Sequence, residues 1–303
     1  MPLVEIDGHQ LKLSNLDKVL YPATGFTKGE VIDYYARIAP VAVPHYRGRP
    51  MTLKRYPNGV DEKFFFEKNA PQHRPDWVET VPIYSRHNDR NINFTLINSA
   101  ATLVWTANLA AIELHPSLSL GEKIDRPTMV VFDLDPGAPA AMKECCEVGM
   151  YLKELFDHLG MASFPKTSGS KGLQVYVPLN HPDVTYEERG TGTKHFALAV
   201  AQLLEKQLPE LVVSNMAKDL RVGKILVDWS QNDEHKTTSG VYSLRAREQP
   251  TVSTPVTWDE VDAGRNDPDS LRFEAQDVLR RVAADGDLFA PTLTLVQELP
   301  RLG

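Results

Sequence analysis

Apolar positions alternate at the start of the chain and then recur at helical spacing. Val4-Glu5-Ile6 and Leu11-Lys12-Leu13 flank Asp7-Gly8-His9, the pattern of a short hairpin. Thr27-Lys28-Gly29-Glu30 forms a capping-box pattern ahead of Val31, Tyr34, Tyr35 and Ile38, which share one face of a helix predicted to end near Pro40. Met51 to Arg55, Thr80 to Tyr84 and Ile92 to Ile97 read as strands, with turn chemistry such as Pro57-Asn58-Gly59 between them. A helix is predicted from Ala100 to Leu114.

An apolar strand from Met129 to Phe132 then runs into Asp133-Leu134-Asp135-Pro136-Gly137, followed by a helical stretch to about Leu159. Strands are predicted over Leu173 to Val177 and Lys224 to Trp229, with mainly helix over Tyr186 to Leu208 between them. One more amphipathic helix falls near Asp269 to Ala284. This alternation predicts an α/β or α+β core. We read residues 1–303 as one domain, with approximate modules at 1–125, 126–249 and 250–303.

The composition fits a globular chain: 42% of its 303 residues are hydrophobic, enough to bury a sizeable core. No apolar run has the length of a membrane span and the first residues lack a secretory pattern, so no membrane association and a cytoplasmic address are expected. The two cysteines, Cys145 and Cys146, are adjacent and supply neither a spaced disulfide framework nor a zinc knuckle. A net charge of −7 speaks against a non-specific nucleic-acid coat. The excess acid lies mostly in residues 250–303, which leaves room for a local basic groove.

Candidate chemistry centres on carboxylates. Asp133 and Asp135 are two apart, so a strand continuing through both turns them to one face. They either open a turn, since Asp-Pro-Gly is ordinary loop chemistry, or bind a hard divalent cation such as Mg²⁺ or Mn²⁺. Asp228, at the end of Lys224-Ile225-Leu226-Val227-Asp228-Trp229, is the best third acid.

Ser168-Gly169-Ser170-Lys171-Gly172 lies between a helix and a strand, where small residues let backbone N–H groups approach an anion. It is not a Walker loop. Arg221 and Lys224 before Asp228, and Lys236, Arg245 and Arg247 after it, suit a bound triphosphate. Nearer the N-terminus, Lys18, Lys28, Lys54, Arg55, Lys63 and Lys68 interleave with Tyr21, Tyr56 and Phe64-Phe65-Phe66. Such a mixture tracks a nucleic-acid backbone and stacks bases, although a phenylalanine triplet also makes a buried strand. His115 stands as a ligand, a nucleotide contact or a helix-end residue.

Four motifs carry a resemblance: Asp17-Lys18-Val19-Leu20-Tyr21-Pro22, Val131-Phe132-Asp133-Leu134-Asp135-Pro136-Gly137, Thr167-Ser168-Gly169-Ser170-Lys171-Gly172 and Leu226-Val227-Asp228-Trp229-Ser230-Gln231-Asn232. In this order they resemble the polymerase domain of bacterial ligase D and its stand-alone mycobacterial-type relatives, within the archaeo-eukaryotic primase superfamily. No ligase or nuclease motif follows, so a stand-alone primase-polymerase is expected. The resemblance implies a central mixed or antiparallel sheet carrying the carboxylates in an RRM-like module, with an N-terminal α/β module that binds DNA and its 5′-phosphate. It implies Asp133, Asp135 and Asp228 as the catalytic and metal-binding triad. Ser168, Lys171, Gln174, Arg221 and Arg245 fall around the incoming nucleotide, with His115 near its sugar. Lys18 and Lys28 hold a 5′-phosphate, and Phe65 and Phe66 pack on template bases with Lys54 and Lys68.

The implied activity is DNA-directed nucleotidyl transfer at short gaps or breaks, by a two-metal mechanism favouring Mn²⁺ and ribonucleotides over dNTPs. The implied partners are gapped DNA, nucleoside triphosphates, an ATP-dependent DNA ligase and Ku, at a bacterial nucleoid. Two positions depart from the family pattern. Gln174 stands where a histidine is usual, and its amide donates a hydrogen bond but takes no proton. Ser239-Gly240-Val241 replaces Ile-Ala-Pro ahead of Tyr-Ser-Leu-Arg, and losing that proline is expected to loosen the loop carrying Arg245. The alternatives are a haloacid-dehalogenase-like phosphatase, which also places Asp-x-Asp after an apolar strand, and a catalytically weak DNA-end-binding module.

Overall fold

A computed structural model describes residues 2–86, 88–187 and 192–300. The chain divides into two compact units, one of Met1–Ile124, Thr237–Ser253 and Glu274–Asp287, the other of Asp125–Lys236, Thr254–Phe273 and Leu288–Gly303. Residues 250–303 therefore contribute to both.

In the first unit, β1 (Leu3–Ile6) and β2 (His9–Lys12) form the predicted hairpin. Strands β3 (Val19–Tyr21) and β4 (Phe26–Thr27) lead into α1 (Lys28–Tyr46). Its capping box is in place: Thr27 Oγ1 accepts from Glu30 N at 3.2 Å while Glu30 Oε2 accepts from Thr27 N at 2.7 Å. The helix continues through Pro40 and Pro44 instead of ending near Pro40. Ala42, Val43 and Tyr46 beyond that point are buried with Val31, Tyr34, Tyr35 and Ile38, and this packing outweighs the backbone bonds that proline removes.

Next come β5 (Pro50–Arg55), β6 (Phe65–Glu67), β7 (Thr80–Ser85), β8 (Arg90–Leu96), α2 (Ala100–Asn108) and β9 (Ala111–Pro116). They build a sheet of order β6-β5-β8-β7, with β9 also paired to β5. The predicted helix over Ala100 to Leu114 is thus two elements. Ala110 takes a φ of 58° and its carbonyl accepts from Tyr56 N at 2.8 Å, so the chain turns out of the helix and pairs along β5. Glu113 and His115 are consequently strand residues.

The second unit contains β10 (Met129–Pro136), α3 (Met142–His158), β11 (Phe164–Thr167), β12 (Leu173–Pro178), α4 (Thr193–Gln207), β13 (Val212–Val213), β14 (Ile225–Asp228) and α5 (Trp258–Gly264). The sheet order is β11-β12-β10-β14-β13, antiparallel except for the parallel β13–β14 pair. This is the mixed sheet expected. The helix predicted from Tyr186 begins at Thr193, and residues 188–191 of that prediction lie outside the described residues. In the first unit the last helix is Ala275–Asp285, preceded by a short 3₁₀ turn at Pro268–Leu271 in the second.

Alternation along β10 positions the acids. Phe132 packs on Phe156 of α3 and Phe196 of α4, with ring centroids 5.3 and 6.3 Å away. Its neighbours Asp133 and Asp135 therefore leave the opposite face.

Candidate active site

Register across the second unit's sheet assembles a row of polar side chains. Lys166 on β11 faces Gln174 on β12, Gln174 faces Asp133 on β10, and Asp133 faces Asp228 on β14. Directly opposed residues share a face, so Asp133, Asp228 and, two residues along, Asp135 do too. Lys166, fully buried, donates to Gln174 Oε1 at 2.5 Å, and the Gln174 side chain hydrogen-bonds Asp133. The carbonyl oxygen being taken by the lysine, the Gln174 amide N–H₂ is the end that reaches the carboxylate.

Burial and then Asp135 push the Asp133 carboxyl up to about 7, with Asp228 adding to the rise and Gln174 and Lys166 opposing it. Negative charge is thus undercompensated here. Among the described residues, no three His, Cys, Asp or Glu side chains are drawn together as a closed metal-ligand set. Asp228 instead caps the turn after β14: its Oδ1 accepts from Ser230 N at 3.0 Å and Ser230 Oγ at 2.6 Å, and its Oδ2 from Gln231 Nε2 at 2.7 Å. Carboxylate oxygens carry further lone pairs, so these bonds still leave room to coordinate. An all-oxygen donor set with excess negative charge fits a hard divalent cation.

Around this row, the Ser168 loop is braced internally. Ser168 Oγ accepts from Ser170 N at 3.2 Å and Gly172 N at 3.1 Å, and Lys171 is exposed at its tip. Arg221 donates through Nη2 to the Met216 carbonyl, while its buried Nε has no hydrogen-bond partner. Gly137 is more than a turn residue. Its N–H donates to the Lys224 carbonyl at 2.9 Å, and a Cβ there would sit 1.8 Å from the Arg221 carbonyl oxygen.

The remaining candidates lie in the first unit. Phe66 on β6 faces Lys54 on β5, which faces Glu113 on β9, and Thr52 faces His115. Lys54 Nζ lies 4.3 Å from the Phe64 ring centroid. Phe64, Phe65 and Phe66 are 48%, 43% and 57% exposed, which settles the open choice against a buried strand. Lys68 and Lys18 are also exposed, the latter donating to Asn58 Oδ1 at 2.9 Å. Lys28 is buried and donates to the Ser14 carbonyl at 2.7 Å. Burial lowers its pKa, and the nearby Lys18 lowers it further.

His115 is a strand residue whose Nε2 lies 2.9 Å from Glu113 Oε2. Arg245 is held by its backbone: its N donates to the Thr251 carbonyl at 2.8 Å and its carbonyl accepts from Tyr21 Oη at 3.0 Å. The segment ahead of it, expected to be loosened by the absence of that proline, is closely packed. Ser239, Gly240 and Val241 are buried, and a Cβ on Gly240 would meet Tyr46 at 2.8 Å and the Leu114 carbonyl at 3.0 Å. Close packing around a side-chain-free residue replaces the missing proline.

A family model for LigD, primase-polymerase domain, matches residues 27–289. The chain belongs to this family. Within the LigD primase-polymerase family it is 45% identical over 284 residues to the multifunctional non-homologous end joining protein LigD of Mycolicibacterium smegmatis, covering 93% of this chain and 36% of the relative. To the bifunctional LigD of Bacillus subtilis it is 33% identical over 253 residues, 83% of this chain and 39% of the relative. The chain thus spans little more than a third of the length of these relatives. The solved polymerase domain from Mycobacterium tuberculosis ligase D, in complex with DNA, matches with a TM-score of 0.85 at 41% identity, covering 95% of this chain and 99% of that one. The expected fold class and family are both borne out, and the phosphatase alternative gives way. Among the described residues no helix is long and apolar enough to cross a membrane.

Two residues central to the two sheets belong to none of the motifs. Glu113 and Lys166 are charged yet buried, at 3% and 1% exposure. For Glu113 the available signal was a charge inside an otherwise apolar run, whereas Lys166, between Pro165 and Thr167, carried none.

Proposed function

We propose that this chain is a DNA-repair primase-polymerase that adds nucleotides, ribonucleotides preferentially, to primer 3′ ends at short gaps or breaks. The observation that carries this reading is Asp133 directly opposite Asp228, with Asp135 on the same face. The names of its relatives, non-homologous end joining proteins, and the DNA bound to the M. tuberculosis domain support the setting.

In this reading Asp133, Asp135 and Asp228 hold a pair of Mn²⁺ or Mg²⁺ ions. Such cations, when bound, lower the pKa of a primer 3′-hydroxyl and offset charge on the departing pyrophosphate. Gln174 orients the Asp133 carboxylate. Ser168 braces its loop by accepting from the Ser170 and Gly172 N–H groups so that Lys171, exposed at the tip, meets the triphosphate, and Arg221 adds a donor whose Nε is still unpartnered. His115 and Arg245 contact the nucleotide, His115 at the sugar.

Lys18 and Lys28 receive the 5′-phosphate across the gap. Two ammonium groups near enough to depress one pKa gain from an anion between them. Phe65 and Phe66, both exposed, offer stacking surface to template bases, with Lys54 and Lys68 as the accompanying cations. An ATP-dependent DNA ligase and Ku are the partners such gap filling calls for, in a bacterial cytoplasm at the nucleoid.

The test is primer extension with Mn²⁺ on a short-gapped duplex carrying a 5′-phosphate, compared with the same duplex ending in a 5′-hydroxyl. Extension is expected, with ribonucleotides preferred and the 5′-phosphate substrate bound more tightly. A protein that binds the gap but extends nothing would be the DNA-end-binding module instead.

A further inference from the structure

Glu113 stands at a junction that no motif marks. Its Oε1 accepts from Ala246 N at 3.1 Å and Tyr56 Oη at 3.4 Å, and lies 3.5 Å from Lys54 Nζ. Its Oε2 lies 2.9 Å from His115 Nε2 and 3.5 Å from Arg245 Nε. One buried carboxylate therefore organises side chains that the functional reading assigns to the nucleotide (His115, Arg245) and to the template (Lys54).

The chemistry of the pair fixes the histidine. An ionised carboxylate only accepts hydrogen bonds, so the ring nitrogen facing it carries the proton. Burial drives the His115 pKa below its ordinary value, with Arg245 and Lys54 adding to that and Glu113 opposing it, so the ring is neutral at neutral pH. In a neutral ring protonated at Nε2, Nδ1 is a bare acceptor. An acceptor there pairs with a hydroxyl donor, not with a phosphate oxygen. A plain salt-bridge partner would hold His115 without choosing between these two faces.

We propose that Glu113 is a positioning residue that fixes His115 as its Nε2–H tautomer, presenting Nδ1 to a sugar hydroxyl of the incoming nucleotide, while the same carboxylate sets Lys54 and Arg245. The inference rests on the nucleotide reading of His115, and the experiment separates the two. Histidine-¹⁵N-labelled full chain is compared with Glu113→Gln by long-range ¹⁵N–¹H correlation at neutral pH, with His115→Asn to assign the signal. Binding of a ribonucleoside triphosphate and its deoxy counterpart is measured alongside.

The wild type is expected to show the Nε2–H tautomer. Glutamine, able to donate or accept, is expected to shift His115 toward a tautomer mixture. Ribonucleotide binding should weaken about tenfold, the scale of one well-placed hydrogen bond, and deoxyribonucleotide binding less. An Nδ1–H tautomer in the wild type, which needs no variant to fold, overturns the proposal. So does an unchanged tautomer in folded Glu113→Gln. A shifted tautomer with both nucleotides bound as before upholds the hold of Glu113 on the ring and overturns the placement of His115 at the sugar.

Discussion

Each unit carries a cross-strand row of charged and polar side chains, and the two rows resolve the same problem in opposite ways. In Phe66–Lys54–Glu113 the acid faces a base, with His115 and Arg245 closing in. In Lys166–Gln174–Asp133–Asp228 the lysine is kept two strands from the nearer acid, with Gln174 between them, and acid faces acid. Burial raises both carboxyls, yet Glu113 ends well below the usual carboxylate range because His115, Arg245 and Lys54 outweigh burial, whereas Asp133 rises to about 7. The neighbours, not the depth, decide the sign. One row is electrostatically complete on folding, and the other retains a deficit of positive charge suited to a bound cation.

The largest test of this contrast is Asp133→Ala. Primer extension is expected to fall at least about a thousandfold, the scale of losing a group that organises a catalytic cation, while the metal-free melting temperature holds or rises because a repelling charge is gone. A variant that both melts earlier and still extends primers would break the comparison. Removing the single positive charge of the second row comes next. Lys166→Met leaves the Gln174 carbonyl without its lysine donor and is expected to cost about 1–3 kcal/mol in denaturant unfolding, more in metal-free than in Mn²⁺-loaded protein.

The smallest effect is a divergence in pH response. Asp133, raised above an unfolded value near 3.9, adds stability that is complete below about pH 4 and lost as pH climbs through about 7. Glu113, held low, adds stability present above its unfolded value near 4.3 and lost as pH falls toward its depressed folded value. Hydrogen exchange in metal-free protein, corrected for intrinsic rates, should show β10 amides less protected at pH 8 than at pH 5 and β9 amides no worse. Mn²⁺ should restore β10 at pH 8. Parallel behaviour of the two strands would remove the distinction.

What was legible in the chain follows the same line between local and distant causes. The Asp7-Gly8 hairpin, the Thr27/Glu30 capping box and the strand ending in Asp133-Leu134-Asp135 were readable because neighbours in sequence dictate them. That Asp228 lies opposite Asp133 was accessible only as a guess about strand order, since register is set by the whole sheet. The run from Ala100 to Leu114 misled because its alanines and leucines suit a helix, whereas pairing with β5 and the positive φ at Ala110 claim its second half for a strand. Pro40 misled in the opposite sense, a strong local breaker overruled by the burial around it. Gln174 was noticed only as a missing histidine, and its lysine partner lies eight residues earlier on another strand, beyond any periodicity.

The crowding at Gly137 leaves no slack between the turn that follows the acids and the carbonyl of Arg221. The two segments therefore form one mechanical piece: Gly137→Ala displaces the arginine segment as it displaces the acids, and its cost combined with that of Arg221→Ala is expected to be far from additive. Charge placement at this end of β10 is thus set for the acids and the arginine together, by the one residue between them that has no side chain.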